Sequence, residues 1–258
     1  MEHRKLRDFV EQALWDGRSP ESIAGRINRH EHCLPHVSAD SIERFLRSVY
    51  GRRFEARRNQ LKQKRRHRKR RPKVTTLKNR KFIDRRPEII NQRGRVGDAE
   101  ADFIESGRSG AGRILTVADR KLRVSFLEKV LPVTIKNVNR AFIDIQKRYP
   151  ELKTITTDND LLFKQHEALE AFLGVKIYFC HPYHSWEKGT IENINGEIRK
   201  HIPKGSDVSR FSPRFIRSIE NTINDRYMEC LGFRTPQEAL ATHRKRKQRL
   251  KARLKMKK

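Results

Sequence analysis

Arg113-Ile-Leu-Thr-Val-Ala-Asp119 and, three residues on, Arg123-Val-Ser-Phe-Leu-Glu-Lys-Val130 are the two β-rich runs that decide the fold. Their Val, Ile, Thr and Phe content favours extended backbone, and with a run at 99 to 105 their spacing predicts an antiparallel meander. Downstream, Val138, Ala141, Phe142 and Ile145 repeat at helical spacing within about 135 to 148. Lys153 to Thr157 reads as a fourth strand, 164 to 173 as a helix, Val175 to Cys180 as a fifth strand, and 187 to 201 and 212 to 228 as helices. Three consecutive strands followed by αβαβα predict an α/β domain: a mixed five-stranded sheet flanked by helices, the order of the ribonuclease H-like architecture.

Upstream of this region the texture is helical. Leu6, Phe9, Val10, Ala13 and Leu14 share a face that ends at Gly17. Ser19 as N-cap and Pro20 in the first turn start a second helix that buries Ile23, Ala24 and Ile27. After Ser38, Ile42, Phe45, Leu46 and Val49 define a third inward stripe, leaving Ser41, Arg44 and Arg47 outward. Three short helices with a basic outer face suit a DNA-binding helix-turn-helix, and also an ordinary helical bundle. His30, His32, Cys33 and His36 lack the second ligand pair of a zinc finger.

Charge separates these readings. The 258 residues carry a formal +29, and it is concentrated: residues 51 to 90 hold 18 Lys or Arg against 3 acids, and 241 to 258 hold 10 against none. The run Gln63 to Arg71 contains no acid, so its self-repulsion is relieved by an external polyanion. Nucleic acid is the natural partner, and no RNA-recognition motif is present. The expected organisation is a helix-turn-helix domain at 1–50, a basic linker at 51–94, a catalytic domain at 95–240 and a basic tail at 241–258. No apolar run reaches membrane-spanning length, and three scattered cysteines suit a reducing compartment, so a cytoplasmic, nucleoid-associated protein without a membrane partner is expected.

Three acids stand where a metal site would need them. Asp102 interrupts the first predicted strand, Asp158 follows the fourth, and Glu192 lies near the start of a helix. Hard divalent cations are held by oxygen ligands from several elements, and a two-metal site spaces its ions roughly 3.5 to 4 Å apart. Lys188, Asn195 and Arg199 share the face of Glu192, and with Lys200 they are candidate DNA contacts. Turn formation and solvated ion pairing remain alternative uses of the same acids. Tyr183 and Trp186 suit either core packing or stacking on distorted DNA.

Pro182-Tyr-His-Ser-Trp-Glu-Lys-Gly-Thr-Ile-Glu-Asn-Ile-Asn-Gly-Glu-Ile-Arg-Lys-His-Ile-Pro-Lys-Gly205 resembles, block by block, the signature of the IS30 family of insertion-sequence transposases. Glu100-Ala101-Asp102, Ile155-Thr156-Thr157-Asp158-Asn159 and a closing set of Asn224, Arg226, Leu231-Gly232, Thr235-Pro236 and Glu238 extend the likeness, as does Ser19 to Ala24. The resemblance implies a DDE-type transposase with Asp102, Asp158 and Glu192 as catalytic triad and metal ligands, using Mg²⁺ with Mn²⁺ as substitute. It also implies cleavage and strand transfer at terminal inverted repeats of double-stranded DNA by a homo-oligomer, with no covalent protein intermediate and no other cofactor. The chain departs from the family at Ala99 and Ala101, at Asp160 and Leu162 after Asn159, and at Tyr227-Met228-Glu229. The family's first helix-turn-helix has no counterpart here. A truncated or domesticated DNA-binding protein that keeps the fold without transposing is the alternative.

Overall fold

The computed structural model describes residues 4–62 and 79–255, Tyr183 apart. The basic run Gln63 to Arg71 lies outside the described residues. In order the chain forms α1 (Arg4–Trp15), α2 (Pro20–His30), α3 (Ala39–Arg47), α4 (Arg52–Lys62), α5 (Glu88–Asn91), β1 (Asp98–Glu105), β2 (Arg113–Asp119), β3 (Ser125–Val130), α6 (Ile135–Arg148), β4 (Thr154–Thr157), α7 (His166–Leu173), β5 (Lys176–Phe179), α8 (Gly189–His201), α9 (Pro213–Asn224) and α10 (Pro236–Lys255). Two units result, one of residues 1–68 with 225–258, the other of 69–224. Among the described residues no helix is long and apolar enough to cross a membrane.

In the first unit, α1 to α4 close over a core that includes Leu14, Ile23, Ile27, Ile42 and Phe54. Ser19 and Ser38 cap α2 and α3 by accepting the amides of Ser22 (3.3 Å) and Ser41 (3.1 Å). Eight residues separate α2 from α3, more than the three or four of a tight helix-turn-helix turn. The third helix is shorter than its apolar spacing suggests: Ser48 Oγ donates to the Phe45 carbonyl at 2.6 Å, and Val49 is 73 % exposed. Val49 therefore leaves the inward stripe. The basic segment expected as a tail is the greater part of α10, whose first turn is tied to α2 by Arg26–Glu238 (2.7 Å), while His30 bonds the Gly232 carbonyl in the segment before it (2.9 Å).

The second unit is a mixed sheet of order β3-β2-β1-β4-β5, with β1 to β3 antiparallel and β4 and β5 parallel to β1. This is the ribonuclease H-like arrangement. Buried Asp119 shapes the β2–β3 turn: its carboxylate accepts Lys121 N and Leu122 N, and also Gly97 N and the Tyr149 hydroxyl. Arg123 takes the left-handed φ of 61° in that turn, so β3 starts at Ser125, two residues later than its sequence suggests. One sheet face carries Ile104, Ile114, Ala118 and Leu127, packed with the isoleucines of α8 and α9. On α6, Val138, Ala141, Phe142 and Ile145 are buried, and Phe142 meets Phe163.

Candidate active site

Two neighbouring strands bring the first two acids together. Parallel pairing of β1 with β4 sets Glu100 beside Thr156, the last pair of that register, and Asp102 lies two residues further along β1 while Asp158 directly follows β4. Residues 100, 102 and 104 share one sheet face by the two-residue period, and Ile104 on that face packs against α8. Lys188 closes the pair, its Nζ lying 3.2 Å from Asp102 Oδ1 and 3.5 Å from Asp158 Oδ2. Asn195 Nδ2 donates to Asp102 Oδ2 at 2.8 Å. Burial pushes the Asp158 carboxyl above its ordinary value, against the pull of Lys188 and with the help of Asp102.

Glu192 lies in the first turn of α8, and that helix start is anchored to β1. The N-terminus of α8 presents unpaired amides, and Glu100 Oε2 accepts that of Ile191 at 2.9 Å while Oε1 pairs with Arg120 at 2.8 Å. Arg123 adds a bond to Thr190 Oγ1 at 2.8 Å. The residue next to Glu192 is thereby fastened to the strand that carries Asp102. Glu192 itself is exposed, one turn after Lys188 and one before Asn195. Among the described residues, the three carboxylates do not form a group whose ligand atoms all lie within 4.8 Å of one another.

The other anticipated DNA contacts fall in different settings. Lys188 is buried with its ammonium between two aspartates, so the surface phosphate contact expected of it is replaced by an internal ion pair. Asn195 likewise turns inward to Asp102. Arg199 is half-buried and donates to the Glu105 carbonyl, while Lys200 pairs with Glu197 at 2.6 Å. Arg44 and Arg47 are exposed on α3, and Ser41 donates its amide to the N-cap Ser38. Asp160 takes an extended φ of −66°, so no left-handed turn arises there; it caps the following 3-10 turn and pairs with Arg113 at 2.7 Å. Glu100, Arg120 and the internal use of Lys188 carried no distinct sequence signal, although Glu100 stands two residues from Asp102 on the same strand face.

The donor set fits a hard cation. Asp158 Oδ1 and Asn195 Oδ1 are buried oxygens without a hydrogen-bond partner among the described residues. Buried acceptors of this kind are costly unless satisfied, and a cation already sits between the two aspartates in the form of an ammonium.

A ribonuclease H-like sheet that sets an acid within β1 and another just past β4 defines the class of DDE-type DNA-cleaving and strand-transferring enzymes. No protein-family model matches the sequence. The chain is 37 % identical over 246 residues to the transposase for insertion sequence element IS4351 of Bacteroides fragilis, covering 92 % of this chain and 74 % of that one. It is 29 % identical over 248 residues to transposase InsI for insertion sequence element IS30A of Escherichia coli K12, covering 91 % and 64 %. A probable transposase for insertion-like sequence element IS1161 of Streptococcus salivarius is 36 % identical over 156 residues, 60 % of this chain and 44 % of that one. Among solved structures, the catalytic core of BIV integrase matches 58 % of this chain and 97 % of its own length, at 16 % identity and a TM-score of 0.45. The chain belongs to the IS30 family of insertion-sequence transposases.

Proposed function

We propose that this chain cuts and joins DNA at the terminal inverted repeats of an insertion sequence, with Asp102, Asp158 and Glu192 as the ligands of a divalent metal pair. The observation that carries the reading is the convergence of Asp102, on β1, and Asp158, just past β4, on one cation, the ammonium of Lys188. Mg²⁺, or Mn²⁺ in its place, supplies activation of a water or a 3′ hydroxyl for in-line attack and stabilises the leaving oxygen. The chain's own groups prepare the site. Asn195 orients Asp102, Glu100 fixes the start of α8, and Lys188 holds its ammonium between the two neighbouring carboxylates. Exposed Arg44, Arg47 and Lys200 supply phosphate contacts, and a homo-oligomer on paired DNA ends brings two active sites to the two ends of the element.

Labelled duplexes made from DNA flanking the gene, incubated with the protein and Mg²⁺ or Mn²⁺, test this reading beside a Glu192→Ala control. Metal-dependent nicking or joining that vanishes in the control is the expected result. Binding without strand chemistry in either metal and in both proteins would overturn the enzymatic reading in favour of a DNA-binding protein that keeps the fold.

A further inference from the structure

A second metal-binding geometry lies outside the aspartate pair. His181 follows β5, and His184 and Glu187 belong to the loop and 3-10 turn that lead into α8. Their ligand atoms all lie within 4.8 Å of one another. Glu187 Oε1 is 3.0 Å from His181 Nδ1 and 3.2 Å from His184 Nδ1. Tetrahedral zinc with bonds of about 2.0 to 2.1 Å sets neighbouring ligand atoms roughly 3.3 to 3.4 Å apart, so these edges need to open by only a few tenths of an ångström.

The surroundings of the cluster resemble a built site. His181 Nε2 lies 2.8 Å from Asp84 Oδ2, the carboxylate–histidine arrangement that orients a ligating imidazole, with Nδ1 turned toward Glu187. Both rings are held in place, His181 stacked on Phe82 with centroids 5.2 Å apart and His184 on Trp186 at 4.4 Å. Glu187 Oε2 is taken by the His181 backbone amide at 2.9 Å, which leaves Oε1 facing the two imidazoles.

We propose that His181, His184 and Glu187 bind one borderline transition-metal ion, of the Zn²⁺ or Co²⁺ type, with Asp84 as the partner that orients His181. Two imidazoles and one carboxylate select such ions over Mg²⁺, which prefers oxygen ligands alone. The site is therefore chemically distinct from the aspartate pair and does not depend on the transposase reading. Bound there, the ion joins the end of β5 to the turn that presents Lys188, and through Asp84 to the segment before α5. It fixes the approach to α8 without touching reacting atoms.

Calorimetric titration of the full chain with Zn²⁺ in excess Mg²⁺ tests the site, alongside the visible d–d spectrum of the Co²⁺ form. One equivalent per chain is expected, with tetrahedral cobalt bands that disappear in Glu187→Gln. Asp84→Asn, at a surface position, weakens Zn²⁺ about 10- to 100-fold. Cys33→Ser leaves binding unchanged, which separates this site from the histidines near Cys33. Absence of stoichiometric binding, or equal affinity in wild type, Glu187→Gln and Asp84→Asn, would overturn the assignment.

Discussion

Lys188 sets the electrostatics of the aspartate pair. Its ammonium is buried against two aspartates that would otherwise repel each other across the parallel strands. Both aspartates keep some contact with solvent, so Lys188→Met should lower the urea midpoint only modestly relative to wild type in chelator. Because Asp102 and Asp158 are then free for a cation, added Mg²⁺ should recover more stability in the variant than it adds to wild type. Equal urea midpoints with and without Mg²⁺ in both proteins would count against a metal at this pair. A second residue-scale prediction concerns thiols. Burial pushes Cys180 up to about 12, while Cys33 and Cys230 are exposed. Iodoacetamide at neutral pH should label two cysteines in the native chain and the third only in denaturant. Asp102 and Asp158 stand out in the sequence because an acid interrupts or follows an apolar strand, whereas Glu192, near a helix start, takes its role only from the family resemblance. The inward turn of Lys188 does not stand out, since a lysine four residues before a glutamate reads as a surface ion pair whatever lies beneath it.

At the level of elements, α9 protects an edge. β3 is an outer strand, and its outward backbone groups are taken by side chains one turn apart on α9. Glu220 accepts Leu127 N at 2.6 Å, and Asn224 bonds both Ser125 N and Ser125 O at 2.8 Å. An open strand edge is a template for unwanted pairing, and this one is closed. Burial, opposed by Leu127 N and Arg217, pushes the Glu220 carboxyl from 4.5 up to about 7. The folded chain then holds a proton that the unfolded chain has lost, so this contribution is present below pH 4.5 and disappears as pH rises through about 7. Unfolding free energy should fall by about 1.4 kcal/mol per pH unit across that window, and Glu220→Gln should flatten the fall. Urea titrations at half-unit pH intervals read both. The α8 tether gives another outcome: Glu100→Ala should leave the Ile191 amide unpaired and reduce strand joining while DNA binding persists, measurable in the same duplex assay. Strand order was legible because β-branched runs alternate with helical spacing. Helix ends were less so. The helix expected at 212 to 228 stops at Asn224, whose side chain is committed to the sheet, and the latter part of α10 leaves Leu250 and Leu254 exposed, with no apolar periodicity to announce a helix.

Charge governs the behaviour of the whole molecule. A formal +29 makes affinity for DNA steeply salt-dependent, with a slope of about −0.9 per phosphate neutralised. Replacing Arg65, Arg66, Arg68 and Arg70 by Gln should reduce the slope of log affinity against log salt by about 3 to 4. A slope unchanged by the four substitutions would remove that run from the DNA interface. Composition alone announces this arm. Nothing local hints that residues beyond 225 join the first helices, because Arg26 and Glu238 pair across 212 positions and no short-range pattern records such a partner. That pairing has a consequence for how the protein is made. A ribosome releases the sheet, with every strand it needs, while α2 still waits for the segment that completes its surroundings. The domain containing the aspartates can mature on the nascent chain, whereas the helical unit is finished only once α10 has emerged. Chains terminated between Asn224 and Glu238 would thus carry a folded sheet and an incomplete helical unit.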